Sequence, residues 1–397
     1  MIMRIKEICD YVSRGYTPDY VDESPYKVMN QASFSKGYID ESKQRFTSTI
    51  SQGANIRKGD LLMASTGGGV LGKVFYFDSD DNSFYADSHV TIMRDSKGRN
   101  LMKFLYYIFS LKYDEINATM VKGSTNQTEL QRNYLLAYEL DIPTTSEQQR
   151  IVDYLDEKTK AIDTRISVLE KKSEAYKRLK ASVINRAVTR GLNPDVTVID
   201  SGIEWIGMIP EHWEIKRYKE FITLQKGKTP KELSYESVGL PYLTMDYLRD
   251  RDGKSTVYPE SVEGLLEISE NEIIVLWDGA NAGEFIKSKA GYLGSTMALL
   301  LTKGISKNYL YYFLKSIERD SKYYSNGTTI PHFDSGILLN REYPVPPYSE
   351  QQAIANYLDA KCSEIDKAIV NIDKQIDALN RLKRSLINEV VTGKRKV

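Results

Sequence analysis

The chain has only two cysteines in 397 residues, Cys9 and Cys362, and no Cys-x-x-Cys. That excludes a disulfide framework and a cysteine-built zinc site, and it fits a reducing cytoplasm. Histidine is almost as scarce: His89, His212 and His332 are the three, and none falls in HExxH or another metal-ligand spacing. No apolar run approaches the roughly 18 residues that a membrane span needs, and the opening MIMRIKEICDYVSRGY has no apolar signal-peptide segment. There is no nucleophile elbow and no constellation for acid–base or nucleophilic chemistry. Asn193-Pro194-Asp195-Val196 is not the Asn-Pro-Pro-aromatic motif of adenine methyltransferases. Lys and Arg number 54, and so do Asp and Glu, so the net charge is zero. A purely electrostatic, sequence-blind nucleic-acid binder would carry a positive field, which this composition lacks.

What the chain does have is a repeat. Residues 143–189 and 346–392 align without a gap at an offset of 203, with 23 of 47 positions identical. A half-chain repeat implies two similar halves, and the length allows two or three domains with real cores. Each repeated segment reads as one long helix. Leu155, Ile162, Leu169, Tyr176 and Val183 recur every seven residues, and so do Leu358, Ile365, Ile372, Leu379 and Leu386. Ile166, Ala187, Cys362, Ile369, Ile376 and Val390 supply the second stripe. Sustained sevens are a coiled-coil signal, and about 44 residues of helix run roughly 65 Å. Lys180 and Lys383 fall in matching seam slots, where the seam is expected to splay or the lysines to snorkel. Both helices open with Ser-Glu-Gln-Gln, so Ser146 and Ser349 are the expected N-caps, with Gln149 and Gln352 completing capping boxes. The matched heptads favour antiparallel pairing of the two helices over each packing only on its own domain.

The segments before the helices are related but divergent. Gly15-Tyr16-Thr17-Pro18 matches Gly227-Lys228-Thr229-Pro230, and Leu105-Tyr106-Tyr107 matches Leu310-Tyr311-Tyr312. Apolar runs at 60–65, 73–77, 273–277 and 297–301 read as strands; 103–111 and 309–317 read as short helices. The fold class is therefore mixed α/β (α+β), with a pseudo-twofold internal repeat. The expected domains are 1–143, the helix 144–192, a connector and second domain over 193–345, and the helix 346–397. The repeated helices carry net charges of +4 (146–192) and +2 (349–397), which leaves −6 on the remainder.

The glycine run Gly67-Gly68-Gly69-Val70-Leu71-Gly72-Lys73 almost matches a phosphate loop. However, Val74 stands where Ser or Thr must hold Mg²⁺, and the next residues read as a strand. It is better read as a hairpin that lets backbone, with Lys73, approach a ligand such as DNA. Polar, basic and aromatic loops carry the positive signal. In the first domain they are Asn30-Gln31, Lys36 with Tyr38, Arg45, His89, and the run Lys122, Ser124, Thr125, Asn126. In the second they are Lys226, Lys228 and Thr229, Asp246-Tyr247 with Arg249 and Arg251, Asn326 with Thr328 and Thr329, and His332. Arg and Lys suit guanine edges and phosphates, and Asn and Gln suit adenine edges. Each loop alone can be a solvated turn; recurrence at corresponding places in both halves favours recognition for the set. His212, in Pro-Glu-His-Trp, reads as structural.

Two variable α/β domains, each followed by a helix opening Pro-x-x-Ser-Glu-Gln-Gln and carrying Tyr-Leu-Asp-x-Lys, resemble the specificity subunits of type I restriction–modification systems. Ile142-Pro143, Val345-Pro346 and the connector around Trp205 and Trp213 add to the resemblance, which covers essentially the whole chain. It implies two target recognition domains, each reading one half of a bipartite site in double-stranded DNA, with an antiparallel coiled coil as spacer. It implies two copies of a DNA adenine methyltransferase subunit as partners, and in some systems a motor–endonuclease. S-adenosylmethionine would be bound by the methyltransferase, with no cofactor, no membrane contact and no catalysis in this chain. The negative sum on the domains fits if the partner subunits supply much of the phosphate clamp. The alternative is a coiled-coil adaptor that binds proteins through its two domains.

Overall fold

Leu61-Leu62-Met63-Ala64 is apolar at every position, and in the computed structural model of the chain it is a strand buried on both faces. The structure describes residues 1–123, 128–204, 206–236, 238–250, 255–323, 325–326 and 332–397, except for the side chains of 319–323, 325 and 326. The chain divides into two compact units, residues 1–170 with 374–397, and residues 171–373.

The first unit contains β1 (Ile2–Arg4), β2 (Tyr11–Arg14), β3 (Leu61–Ala64), β4 (Val74–Tyr76), β5 (Val90–Arg94), α1 (Met102–Phe109), β6 (Glu139–Asp141) and the start of α2 (Thr145–Arg190). Four strands form an antiparallel sheet in the order β2-β5-β3-β4. Neighbouring strand residues point to opposite faces. Leu61 and Met63 therefore join a core with Ile5, Phe104 and Leu155, while Leu62 packs with Phe34, Phe77 and Phe84 on the other side. A small second sheet covers that other side, with Lys27–Met29 pairing parallel to Phe84–Ala86.

The second unit repeats the plan with β7 (Glu214–Arg217), β8 (Ile222–Lys226), β9 (Ile273–Leu276), β10 (Phe285–Lys287), β11 (Met297–Thr302), α3 (Lys307–Tyr323), β12 (Glu342–Val345) and the start of α4 (Tyr348–Val391). Its main sheet runs β8-β11-β9-β10. Ile273 and Val275 enter one core and Ile274 and Leu276 the other. In each unit a strand near the start pairs with the strand that leads into the long helix: β1 with β6, and β7 with β12. The connector holds a short hairpin, Val198–Asp200 with Met208–Pro210, and ends on Trp213. That indole is buried and donates to Glu350 at 3.1 Å, and His212 meets the same carboxylate at 2.8 Å. Among the described residues no helix is long and apolar enough to cross a membrane.

In the first unit the early part of α2 runs antiparallel to the 374–391 part of α4. Leu155, Ile162 and Leu386 are buried there, and Leu169 and Leu379 are half-buried. In the second unit the later part of α2 runs against the 348–373 part of α4. Leu358, Ile365 and Ile372 are buried, and Tyr176 and Val183 are half-buried. Each helix thus packs on the other helix as well as on a domain core. The seam lysines do more than snorkel. Lys383 binds both oxygens of Asp163 (2.6 and 2.7 Å), and Lys180 binds both of Asp366 (2.6 and 2.8 Å). These half-exposed pairs fix register more than they stabilise, at about 1 kcal/mol or less each.

The expected caps are corrected. Ser146 and Ser349 lie inside helices that begin at Thr145 and Tyr348, and Thr144 Oγ1 accepts from the Glu147 amide at 3.4 Å. Gln149 bonds Asp153 within its own helix. The side chain that anchors each helix is the first glutamine, Gln148 or Gln351, which is almost fully buried. Gln148 accepts from the Leu101 amide (2.9 Å) and donates to the Pro143 carbonyl (3.0 Å). Gln351 accepts from the Ser306 amide (2.7 Å) and donates to the Pro346 carbonyl (2.9 Å). A buried amide is tolerated because both of its ends are satisfied.

The Tyr-Leu-Asp repeat also has a job. Tyr107 donates to Asp156 and Tyr312 to Asp359, each at 2.6 Å. Burial, and then this bond, hold both phenols well above their usual range. Burial does the same to Tyr218, Tyr309 and Tyr343. Because the folded values are raised, the stabilisation is complete below the unfolded phenol value near 10 and is lost as pH rises past it. Urea midpoints are therefore expected to hold from neutrality to about pH 9 and to fall steeply above about pH 10. The buried tyrosines' share of the phenolate absorbance should appear together with unfolding; buried tyrosines that ionised in a folded chain would contradict this.

Both thiols are buried, and burial is the main reason Cys9 is pushed up to about 12 and Cys362 is raised. A thiol-specific disulfide reagent at about pH 8 should find no reactive cysteine in the folded chain, because the thiolate is the nucleophile. In denaturant it should find two.

Candidate nucleic-acid interface

Antiparallel register brings one end of each main sheet together as a loop platform. In the first unit Arg14 pairs with Thr91, Ala64 with Val90, and Met63 with Val74. The loops after β2 and β3 and the turn before β5 therefore meet. The Gly15 amide bonds the Val90 carbonyl at 3.0 Å. A Cβ on Gly15 would lie 2.0 Å from the Ala86 carbonyl oxygen and 2.3 Å from that of Asp87, so only glycine fits. The glycine-rich turn has positive φ at Gly67, Gly69 and Gly72 and leads into β4 rather than a helix. It is thus a hairpin and lacks the helix N-terminus of a phosphate loop.

Side chains of the first unit cluster on this platform. Arg14 donates to the Ser65 carbonyl at 3.2 Å and lies 3.5 Å from the Glu129 carboxylate. Thr66 meets His89 Nδ1 at 2.7 Å and Gln31 Oε1 at 3.4 Å. An isolated bridge joins Thr66 to Glu129, and Lys122 pairs with Glu129 in register. The turn is set by Asp87, whose buried carboxylate accepts from the His89 amide at 2.9 Å; burial raises its pKa.

The second unit has the same platform. Lys226 pairs with Ala298 and Leu276 with Met297, and the Gly227 amide bonds the Met297 carbonyl at 3.0 Å. A Cβ on Gly227 would meet the Leu293 and Gly294 carbonyl oxygens at 2.3 and 2.4 Å. Asp278 takes His332 Nδ1 at 2.6 Å and Lys226 at 3.3 Å, and an isolated bridge joins Asp278 to His332. Lys226 lies over the Trp277 ring, 5.1 Å from its centre. Thr229 donates to Ser295 at 2.7 Å, and Lys228 is exposed beside it.

Of the residues expected from sequence, Gln31, His89 and Lys122 come together on the first platform, and Lys226, Lys228, Thr229 and His332 on the second. Lys73 is half-buried at the end of the glycine hairpin. Others are committed elsewhere. Asn30 caps the turn Gln31–Phe34 through the Ser33 amide. Lys36 bonds Asp40 at 2.8 Å and is the main reason that carboxylate is lowered to about 2. Arg45 lies over the Tyr20 ring. Arg249 bonds Glu284 at 2.5 Å; Tyr247, from the same short helix as Asp246, lies under Lys289. Ser124, Thr125, Asn126, Arg251, Thr328 and Thr329 lie outside the described residues, as does the Asn326 side chain. Sequence reasoning missed Arg14, Thr66, Glu129 and Asp278. The signal for Arg14 was available, since it precedes Gly15 as Lys226 precedes Gly227. The acids were passed over because a nucleic-acid reading looks for cations, yet these acids account for part of the negative charge of the domains.

A protein-family model, the type I restriction modification DNA specificity domain, matches residues 1–171 and 210–391, and the chain belongs to that family. With two such domains it is a specificity subunit, the component that carries DNA sequence specificity. It is similar to the type I restriction enzyme MjaVIII specificity subunit of Methanocaldococcus jannaschii, 39% identical over 188 residues; the match spans 46% of this chain and 43% of that one. It is 23% identical over 417 residues to the putative type I restriction enzyme MjaX specificity subunit of the same organism, across 100% of this chain and 93% of that one. A solved chain from work on complex assembly and conformational transition of the type I R-M system shares the fold. Its TM-score is 0.69 at 15% identity, over 98% of this chain and 97% of that one.

Proposed function

We propose that each unit reads one half of a bipartite, asymmetric site in double-stranded DNA through the loops at its sheet end. The repeated helical segments set the spacer and each offer a docking surface to one copy of a DNA adenine methyltransferase subunit. That partner binds S-adenosylmethionine and methylates adenine N6, which requires the base to leave the stack. A motor–endonuclease subunit joins in systems that cut. The chain itself performs no chemistry and works in the cytoplasm.

One observation carries this reading. The helical segments keep 23 of 47 positions identical in the two halves, among them Gln148/Gln351, Asp156/Asp359 and Lys180/Lys383, while the platform residues differ. Related helices with different readers are what two copies of one partner on two different half-sites require. The test is long-read methylation mapping of DNA from cells expressing the chain with its candidate methyltransferase, against cells lacking the chain. The expected result is a bipartite adenine-methylated motif that disappears without the chain. An active methyltransferase in a folded complex that marks no such motif would defeat the reading.

A further inference from the structure

The two platforms share a frame that is filled differently. In both, a cation ends the first strand of the sheet immediately before the tightly packed glycine: Arg14 before Gly15, and Lys226 before Gly227. In both, an isolated bridge joins the loop after the central strand to a later segment: Thr66 to Glu129, and Asp278 to His332. In both, the cation reaches a carboxylate at that bridge, at 3.5 Å in the first unit and 3.3 Å in the second. The carboxylate, however, stands on opposite strands of the bridge: the later one in the first unit and the earlier one in the second. Both remain open to solvent, at 55% for Glu129 and 22% for Asp278.

Standing on opposite strands of the bridge, the two carboxylates place an acceptor at different points over an otherwise shared frame. Their chemistry also limits what they can meet on DNA. An ionised carboxylate only accepts, so it is repelled by phosphates and by the O6 and N7 acceptors of guanine. In the major groove it can take a hydrogen bond only from an exocyclic amino group. We propose that Glu129 and Asp278 are specificity-determining residues. Each accepts from the amino group of one base, cytosine N4 or adenine N6, in its own half-site. Arg14 in the first unit, and His332 with Lys226 in the second, hold the carboxylate in place, and the two cations face the neighbouring guanine or phosphate. The inference rests on the reading that each unit reads one half-site.

The experiment uses the intact complex with the methyltransferase, in wild-type, Glu129→Ala, Asp278→Ala and Asp278→Glu forms. Methylation motifs are mapped for each, and binding is measured to oligonucleotides in which single bases lack their amino group. For wild type, removing one amino group in each half-site should weaken binding roughly tenfold or more. Asp278→Ala, which has no side-chain acceptor, should be insensitive to that removal in the second half-site, relax the motif at that position only, and leave the first half-site unchanged. Glu129→Ala should do the reverse, and Asp278→Glu, which keeps the acceptor, should keep the wild-type preference. Variant motifs identical to wild type would overturn the proposal, as would a loss spread equally over both half-sites. A wild-type complex indifferent to every amino group in both half-sites would overturn it too, whether or not the variants fold. A wild type with no bipartite motif at all would instead remove the reading beneath it.

Discussion

Gly15→Ala is expected to remove the first unit's platform, and Gly227→Ala the second's. The added methyl would sit 2.0 and 2.3 Å from two carbonyl oxygens in the first case, and 2.3 and 2.4 Å from two in the second. These are backbone atoms of the turn leading into the adjacent strand, so no side chain can swing aside. The turn must move away, and with it His89 in one unit or Ser295 in the other. Overpacking of this kind costs about 3 kcal/mol when the backbone has to shift. The cost should appear as a lower urea midpoint for either variant. The functional loss should be local: the motif of Gly15→Ala should lose its first half and that of Gly227→Ala its second. A Gly15→Ala protein with the wild-type midpoint and motif would show that the close approach is not required.

The other large effect is expected at Asp60. Its carboxylate is 1% exposed and takes two bonds from Arg94 at 2.6 Å and one from the Arg57 amide at 2.8 Å. Arg94 is itself only 13% exposed, lies over the Tyr11 ring and donates to the Asn55 carbonyl. Asp60→Ala leaves a guanidinium in a poorly solvated place without its counter-charge, which costs about 3–5 kcal/mol. Removing both charges should cost less. Asp60→Ala combined with Arg94→Met is expected to recover about half or more of the loss, because most of the penalty belongs to the stranded cation. Urea unfolding of both singles and the double measures the coupling. A double variant as unstable as the sum of the singles would place the effect in packing rather than in the pair.

The periodic features were legible in the sequence and the tertiary ones were not. The sevens from Leu155 to Val183 and from Leu358 to Leu386 were visible because a helix face repeats by itself. The strands at Leu61–Ala64 and Ile273–Leu276 were visible because burial on both faces demands uninterrupted apolar residues. Gly15 and Gly227 stood out by their matched context. What sequence could not supply were partners distant along the chain. Glu129 meets Arg14 across 115 residues, and nothing local marks it. Ser146 looked like a cap on composition alone, but the helix starts one residue earlier and the anchoring falls to Gln148. Asn30 carried the chemistry of an adenine reader, yet the turn after it takes the side chain as its own cap.

The Gln148 and Gln351 contacts have a consequence for how such a chain can change over time. Each carboxamide grips an amide and a carbonyl of the main chain: Leu101 and Pro143, or Ser306 and Pro346. Gln148 also donates to the Asn100 side chain at 3.2 Å, but the main-chain bonds common to both units do not depend on which side chains the recognition domain carries. Like a key in a shaft, they set the rotation of the helix against its domain whatever the loops contain. The readers can therefore be rewritten residue by residue, or replaced wholesale by another domain of the same backbone, without retuning the joint.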